Sequence, residues 1–123
     1  MTKSMKRIHT VTLKRIVDKD PDTSYLEQDE FEGRLRQFNE GQFCFMGIVA
    51  DAEVSLSRNE KPDSGYLLQT ISSGGLWGIE SDSDESYLQE IEQEQLMELR
   101  GQLHAVGFSQ RAITAAFRDV TRA

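Results

Sequence analysis

Residues 43–56, FCFMGIVADAEVSL, form the most regular pattern in this sequence and decide its fold class. Every second residue from Cys44 to Leu56 is apolar, which is the spacing that places side chains on one face of a β-strand. The opposite face is mostly apolar in its first half and becomes polar from Asp51 onward. The pattern therefore predicts a long central strand whose first half is covered on both faces.

Two further strands are predicted, over residues 6–17, which are rich in β-branched side chains, and over residues 66–71. Between the second and third strands, residues 57–65, SRNEKPDSG, have the composition of a hairpin-type loop. These segments predict an antiparallel sheet of three or more strands. The glycine-rich segment 72–80, SSGGLWGIE, is expected to form a structural elbow that bends the chain out of the sheet.

Three helices are predicted around this sheet. A short one is expected over residues 28–38, and a long one follows the SDSDES segment and extends to about Val106, with Gly107 at its stop. The last helix is expected over residues 110–121. The predicted fold is a single α+β domain over residues 1–123, with the antiparallel sheet packed against the long acidic helix and the short C-terminal helix.

Length, charge and cysteine content restrict the function classes. A chain of 123 residues has the size of one domain, and its net charge is −7. Because phosphate backbones repel such a charge, a broad nucleic-acid-binding face is not expected. Cys44 is the only cysteine, so no intramolecular disulfide forms, and no apolar stretch approaches the roughly 20 residues of a membrane span. We therefore expect a cytoplasmic protein that does not contact a membrane.

The segment 80–98 carries eight carboxylates and no lysine or arginine. Its first residues have the composition of a helix N-terminus, where Ser81, Asp82 or Ser83 is expected to cap the helix. After the next helix boundary, Ser109 is a second predicted cap, with Phe108 and Ile113 packing around it.

No metal or cofactor site is expected. Glu80, Asp82 and Asp84 alternate as in a calcium loop, but neither reading frame has glycine at position six or glutamate at position twelve. The GGLWG segment lacks the lysine and spacing of a phosphate loop. The acids that follow it occupy the helix end that a phosphate would use.

No catalytic residue is expected, and the protein is predicted not to be an enzyme. Cys44 lies between two phenylalanines in an apolar strand, where a buried structural thiol is the usual outcome. Glu92 is the one acid that falls within the apolar arc of the long helix. It is expected either to sit at the edge of that arc, to pair with an arginine such as Arg34 or Arg36, or to act as a catalytic acid.

Three segments carry a resemblance to other proteins: DPDTSYLE (20–27), DEFEGRLRQFNEGQFCFMGIVADAEV (29–54) and the stretch 73–108 that contains GGLWGIESDSDE. In these segments the chain resembles a set of short acidic proteins carried by bacterial phages, plasmids and integrative elements. The resemblance implies an accessory protein that binds and blocks a host defence system or regulates the genes of its own element. It implies no catalytic residue.

The leading hypothesis is a non-enzymatic interaction protein whose acidic face binds the basic nucleic-acid-binding surface of a host protein, such as a restriction or CRISPR complex. The predicted partner-binding residues are Glu80, Asp82, Asp84, Glu85, Glu90, Glu94, Glu98 and Trp77. The alternative is a small-ligand-binding or transcription-associated domain with a pocket near Trp77. A homodimer, formed through an apolar strip on the sheet or through Met97, is compatible with either function.

Overall fold

The computed structural model describes residues 6–57 and 66–123 of the chain. The predicted loop over residues 57–65 lies outside them except for Ser57, which ends a strand. The described residues form a five-stranded, mostly antiparallel sheet and three α-helices. The predicted α+β class is therefore confirmed.

The sheet is built around one long strand. Its strands are β1 (Arg7–Val17), β2 (Phe45–Ser57), β3 (Tyr66–Ser72), β4 (Leu76–Glu80) and β5 (Val120–Arg122). β1 pairs with β2 along one edge, and the other edge of β2 pairs with β4 near its start and with β3 near its end. β5 pairs with β1 in parallel, which gives the strand order β3-β2-β1-β5, with β4 also pairing with β2 on the edge that β3 occupies.

The helices are α1 (Glu32–Asn39), α2 (Glu85–Ala105) and α3 (Gln110–Ala116). Before α1, the chain forms two short 3₁₀ turns, Ser24–Glu27 and Asp29–Phe31, so the predicted helix over residues 28–38 begins too early. The last predicted helix is also wrong at its end. It stops at Ala116, and the residues expected in its last turn form β5 instead.

One face of the sheet packs against α2 and α3. Apolar side chains of β1, β2 and β4 meet apolar side chains of the two helices there. The buried residues of this main core are Val11, Leu13, Met46, Ile48, Ala50, Ala52, Val54, Ile79, Leu88, Ile91, Leu99, Leu103, Phe108 and Ile113. The alternation predicted for the central strand is confirmed, since its even-numbered residues from Met46 to Val54 lie in this core.

A second, smaller core lies at the start of β2. Phe45 follows the opposite parity from Met46, so it points to the other face of the sheet. There it packs with Leu26 and Phe43, and the rings of Phe43 and Phe45 are 5.5 Å apart. The 3₁₀ turns and α1 thus cover the first half of β2, which is why both faces of that half are apolar.

Helix ends agree only in part with the sequence expectations. The side chain of Ser109 accepts a hydrogen bond from the backbone N–H of Ala112 at 3.1 Å, so this predicted cap is confirmed. Gly107 has φ of +101°, the left-handed conformation of a helix stop. At the start of α2 the expectation is wrong: the N-cap residue is Asp84, and no side chain caps it. The hydroxyl of Ser83 instead donates to the carbonyl of Glu80 at 2.6 Å.

The glycine-rich segment is more than a bend. Gly74 and Gly75 both have φ of +84°, which turns the chain after β3, but the next residues form β4 and pair with β2. The Trp77 ring lies directly on Gly47, and its indole N–H donates to the carbonyl of Gly74 at 3.0 Å. Gly47 therefore leaves the space that the tryptophan ring occupies, because a side chain at this position would overlap the ring.

No α-helix within residues 6–57 and 66–123 is long and apolar enough to cross a membrane.

Gly47→Ala is expected to lower the free energy of unfolding by about 1–3 kcal/mol, because the added methyl group would overlap the Trp77 ring. Chemical denaturation measures this change, and the fluorescence of the single tryptophan reports displacement of the ring. Gly33→Ala is the matched control. Gly33 lies in α1, and nothing lies within 4 Å of the position that an added Cβ would take. The same substitution should therefore leave stability unchanged or raise it by up to about 1 kcal/mol. Equal losses of stability in the two variants would contradict this role of Gly47.

Candidate functional site

The acidic segment 80–98 does not form one uniform surface. Its carboxylates divide into an ion-paired group at the start of the segment, the exposed Asp84 just before α2, one buried glutamate, and an exposed group along α2. Each group has a different electrostatic environment, so the predicted partner-binding residues are described group by group.

Arg34 neutralises part of the first group. Its guanidinium donates to both oxygens of Asp82, at 2.8 and 2.9 Å, and lies 3.1 Å from the carboxylate of Glu80. The hydrogen bonds from Arg34 hold the pKa of Asp82 below its usual value. The same guanidinium lies 3.8 Å from the centre of the Phe43 ring. Asp82 and Glu80 are thus engaged within the protein, and Arg34 is fixed by them over an aromatic ring.

Tyr25 completes this group. Its hydroxyl donates to Glu80 at 2.9 Å, and burial together with this hydrogen bond raises the pKa of Tyr25 to about 12. The phenol is therefore neutral at physiological pH and remains a hydrogen-bond donor. The 3₁₀ turn that carries Tyr25 is in this way attached to the end of β4.

Glu85 and Asp84 stand at the start of α2. Glu85 accepts two hydrogen bonds from Arg15 of β1, at 2.6 and 3.2 Å, and these hold its pKa below the usual value. Asp84 is exposed and occupies the N-cap position without a side-chain cap bond. Of these two predicted partner-binding residues, Asp84 has no salt bridge within the part of the chain that the structure describes.

The exposed group consists of Glu90, Glu94 and Glu98, which lie on α2. They are spaced by four residues, so they form a row with a rise of about 6 Å per step on one side of the helix. Within residues 6–57 and 66–123, none of them makes a salt bridge, and Glu98 accepts only a long hydrogen bond of 3.4 Å from Gln102. We call these three residues the α2 row.

Glu92 lies on the opposite, packed side of α2 and is only 1% exposed. One of its oxygens accepts hydrogen bonds from Arg15 of β1, at 3.0 Å, and from Arg122 of β5, at 2.8 Å. Burial opposes ionisation, but these two hydrogen bonds outweigh it, and the pKa of Glu92 lies below its usual value. Neither Arg34 nor Arg36, the partners expected from the sequence, pairs with it. Glu92 joins three elements of the fold.

A sequence signal for this pairing exists in β1. Arg15 follows Val11 and Leu13 at a spacing of two, so it lies on the face of the strand that packs against the helices. A charged residue on each of two facing apolar surfaces is the pattern that a buried ion pair produces. Arg122 had no such signal, because its position depends on the pairing of β5 with β1.

Trp77 lies beside an open cleft of about 410 Å³ at the outer edge of β4. Its walls come from the 3₁₀ turns, β4 and the first turn of α2, and they are mainly aromatic and aliphatic. The side chains that matter most are Tyr25, Phe31, Leu76, Trp77, Glu80 and Tyr87. The structure thus brings together Trp77 and Glu80, two of the predicted partner-binding residues, at one cleft.

Cys44 and the two histidines, His9 and His104, lie in separate parts of the fold. Cys44 is half-buried, and its backbone N–H donates a hydrogen bond to the hydroxyl of Ser81 at 2.9 Å. His9 is bonded to Ser55 at 2.8 Å at the other end of the sheet, and His104 is exposed near the end of α2. Among the residues that the structure describes, no group of three or more histidine, cysteine and acidic side chains is placed to hold a metal ion.

The chain matches no protein-family model, no curated protein and no solved structure. Its resemblance to accessory proteins of mobile elements therefore stays a prediction.

Glu92→Gln is expected to lower the free energy of unfolding by about 1–3 kcal/mol at pH 7, because a neutral amide replaces the carboxylate shared by two arginines. The folded-state pKa of Glu92 lies below its ordinary value of 4.5, so this stabilisation is complete above that value and is lost as pH falls through the folded pKa. The difference between the wild type and the variant should therefore shrink from about pH 5 to pH 3.

Denaturation curves at several pH values measure both effects. Glu94→Gln is the matched control, since this side chain is exposed on the same helix and should change stability by less than about 0.5 kcal/mol. A Glu92→Gln effect that stays constant over this pH range would contradict the ionic role.

Proposed function

We propose that this protein is a non-enzymatic interaction module that uses the α2 row to bind the basic, nucleic-acid-binding surface of another protein. One observation carries the proposal. Among the acids of the segment 80–98, Glu90, Glu94 and Glu98 are exposed along one side of a helix and form no salt bridge with the residues that the structure describes. Their charge is available to a partner, whereas Glu80, Asp82 and Glu85 are engaged by arginines of the chain itself.

The physical basis is charge presentation on a rigid support. The acidic helix α2 packs on the sheet through Leu88, Ile91, Leu99 and Leu103, so the carboxylates on its other side keep a fixed spacing. A fixed row of like charges attracts a surface of opposite sign and speeds encounter, and salt weakens that attraction. Binding of this kind is expected to depend strongly on ionic strength.

The partner is expected to be a protein and not a nucleic acid. The net charge of −7 and the exposed carboxylates repel phosphates. The α2 row carries one charge per about 6 Å, while one DNA strand carries one per about 3.4 Å, so the row imitates only part of a phosphate backbone. The resemblance to accessory proteins of bacterial mobile elements makes host defence complexes of the restriction or CRISPR type the first partners to test, in the cytoplasm.

The second candidate function is binding of a small ligand, as in a metabolite-sensing or transcription-associated regulatory domain. The observation that favours it is the cleft of about 410 Å³ beside Trp77, which has the size of a small-molecule site. Because this is the only tryptophan in the chain, a screen of metabolites by tryptophan fluorescence tests the candidate directly. A homodimer through Met97, which is 71% exposed, is compatible with both candidates.

The triple variant Glu90→Gln, Glu94→Gln and Glu98→Gln tests the proposed function. The wild-type protein, immobilised and exposed to a bacterial lysate at low salt, should retain a basic nucleic-acid-binding protein that added double-stranded DNA releases. Three exposed charge pairs of about 0.5 kcal/mol each correspond to about a tenfold loss of affinity in the variant. Mass spectrometry identifies the retained protein, and titration with the purified partner measures the loss.

A second triple variant, Glu40→Gln, Glu53→Gln and Asp119→Asn, removes the same charge from exposed positions outside α2 and is expected to bind like the wild type. Equal weakening in both variants would reduce the effect to net charge. Binding that is insensitive to ionic strength, or that survives in the presence of DNA, would refute the proposed function.

A further inference from the structure

The cleft beside Trp77 has an aromatic lining that is accessible to a partner. Trp77 is 46% exposed, Tyr87 is 49% exposed and Leu76 is 41% exposed, so three large apolar side chains of the lining are accessible. The rings of Tyr25 and Phe31 also line the cleft and meet edge to face at 5.4 Å. Exposed apolar patches with a polar rim are typical of binding sites.

The surroundings of the cleft are strongly acidic. Residues 20–32, which supply one wall, contain six acids and no lysine or arginine, and residues 80–90, which supply the other, contain five acids and no lysine or arginine. Among the residues that the structure describes, Arg34 is the one cation that contacts the Glu80 carboxylate at the cleft, and it is shared with Asp82, so these three side chains keep one negative charge. Because apolar walls focus such a field, the cleft is suited to a cation.

The chain itself shows which cation suits an aromatic surface of this kind. Arg34 lies 3.8 Å above the ring of Phe43, and Arg100 lies 4.5 Å above the ring of Phe117. A planar guanidinium stacks on rings and at the same time donates to carboxylates, which a compact ammonium does less well. The cleft offers both kinds of group, rings from Tyr87 and Trp77 and a carboxylate from Glu80.

The cleft is continuous with the α2 row. Tyr87 precedes Glu90 by three residues and Glu94 by seven, so all three lie on the same side of α2. A partner that contacts the row is therefore adjacent to the cleft. This continuity favours a protein segment over a free small molecule as the occupant.

We infer that the cleft of Tyr25, Phe31, Trp77, Tyr87 and Glu80 receives an arginine side chain from the basic surface of the protein partner. The inference rests on the proposed function for the identity of the partner, and it adds the residue type that the partner contributes. The guanidinium stacks on an exposed ring of the lining and faces the acidic rim, while the α2 row contacts neighbouring basic residues. Buried arginine anchors of this kind commonly dominate the energy of an interface.

A short capped peptide that alternates glycine with arginine tests the inference, with Trp77 fluorescence as the readout. The wild-type protein should show a saturable change, and the same peptide with citrulline in place of arginine should show none, because citrulline keeps the shape and lacks the charge. Tyr87→Ala should weaken binding of the arginine peptide by about three- to fivefold, and Tyr87→Phe should retain it, because the ring and not the hydroxyl makes the contact.

Gln93→Ala is the control for a substitution at an exposed position of α2 outside the cleft, and it should bind like the wild type. Equal binding of the citrulline peptide would show an apolar site and overturn the inference, as would equal binding by Tyr87→Ala and Gln93→Ala. Free arginine amide that binds as tightly as the peptide would assign the cleft to a small molecule.

Failure of this inference is distinguishable from failure of the proposed function. The substitutions Glu90→Gln, Glu94→Gln and Glu98→Gln lie outside the lining of the cleft, so the triple variant should still respond to the arginine peptide. A triple variant that keeps the captured protein refutes the α2 row, and the peptide titration still decides the cleft. A Tyr87→Ala variant that binds the peptide normally refutes the cleft and leaves the row to its own test.

Discussion

The pairing of β2 on both of its edges is the constraint on which the rest of the structure depends. β1 occupies one edge, and β4 and β3 share the other in succession, so a single strand of 13 residues determines the register of three neighbours. Its apolar residues pack against α2 and α3 on one face and, through Phe45, against the 3₁₀ turns and α1 on the other. Each wall of the candidate site is therefore attached to the same strand.

The charges of the molecule follow from this arrangement. Where acidic residues meet the sheet, the fold supplies an arginine: Arg15 for Glu85 and Glu92, and Arg34 for Glu80 and Asp82. On the side of α2 that faces away from the sheet, the carboxylates of the α2 row have no arginine partner among the described residues. Within the segment 80–98, the acids paired with arginines are thus separated from the exposed acids of the α2 row. This separation is what makes a specific electrostatic interface physically reasonable.

Local patterns in the sequence were sufficient to predict those elements whose conformation depends on neighbouring residues. The alternation in β2, the apolar arc of α2 and the Ser109 cap each depend on residues within a few positions, and the structure contains all three. β5 has only three residues, which is too few to show any periodicity. Its conformation depends on pairing with β1, which is distant in sequence. Arg122, one of the two partners of Glu92, was missed for the same reason, whereas Arg15 has a signal in the alternation of β1.

The parallel pairing of β5 with β1 also has a consequence for how the protein is made. Val11 pairs with Val120, so almost the entire described chain lies between the two partners. Contacts of such high sequence separation form late, because a long loop must close before they are gained. Until residues 120–122 dock, this edge of β1 has no β5 to pair with, and Glu92 lacks the hydrogen bond from Arg122. An open strand edge can pair with another nascent chain, which makes the arrival of β5 the step that ends this vulnerable period.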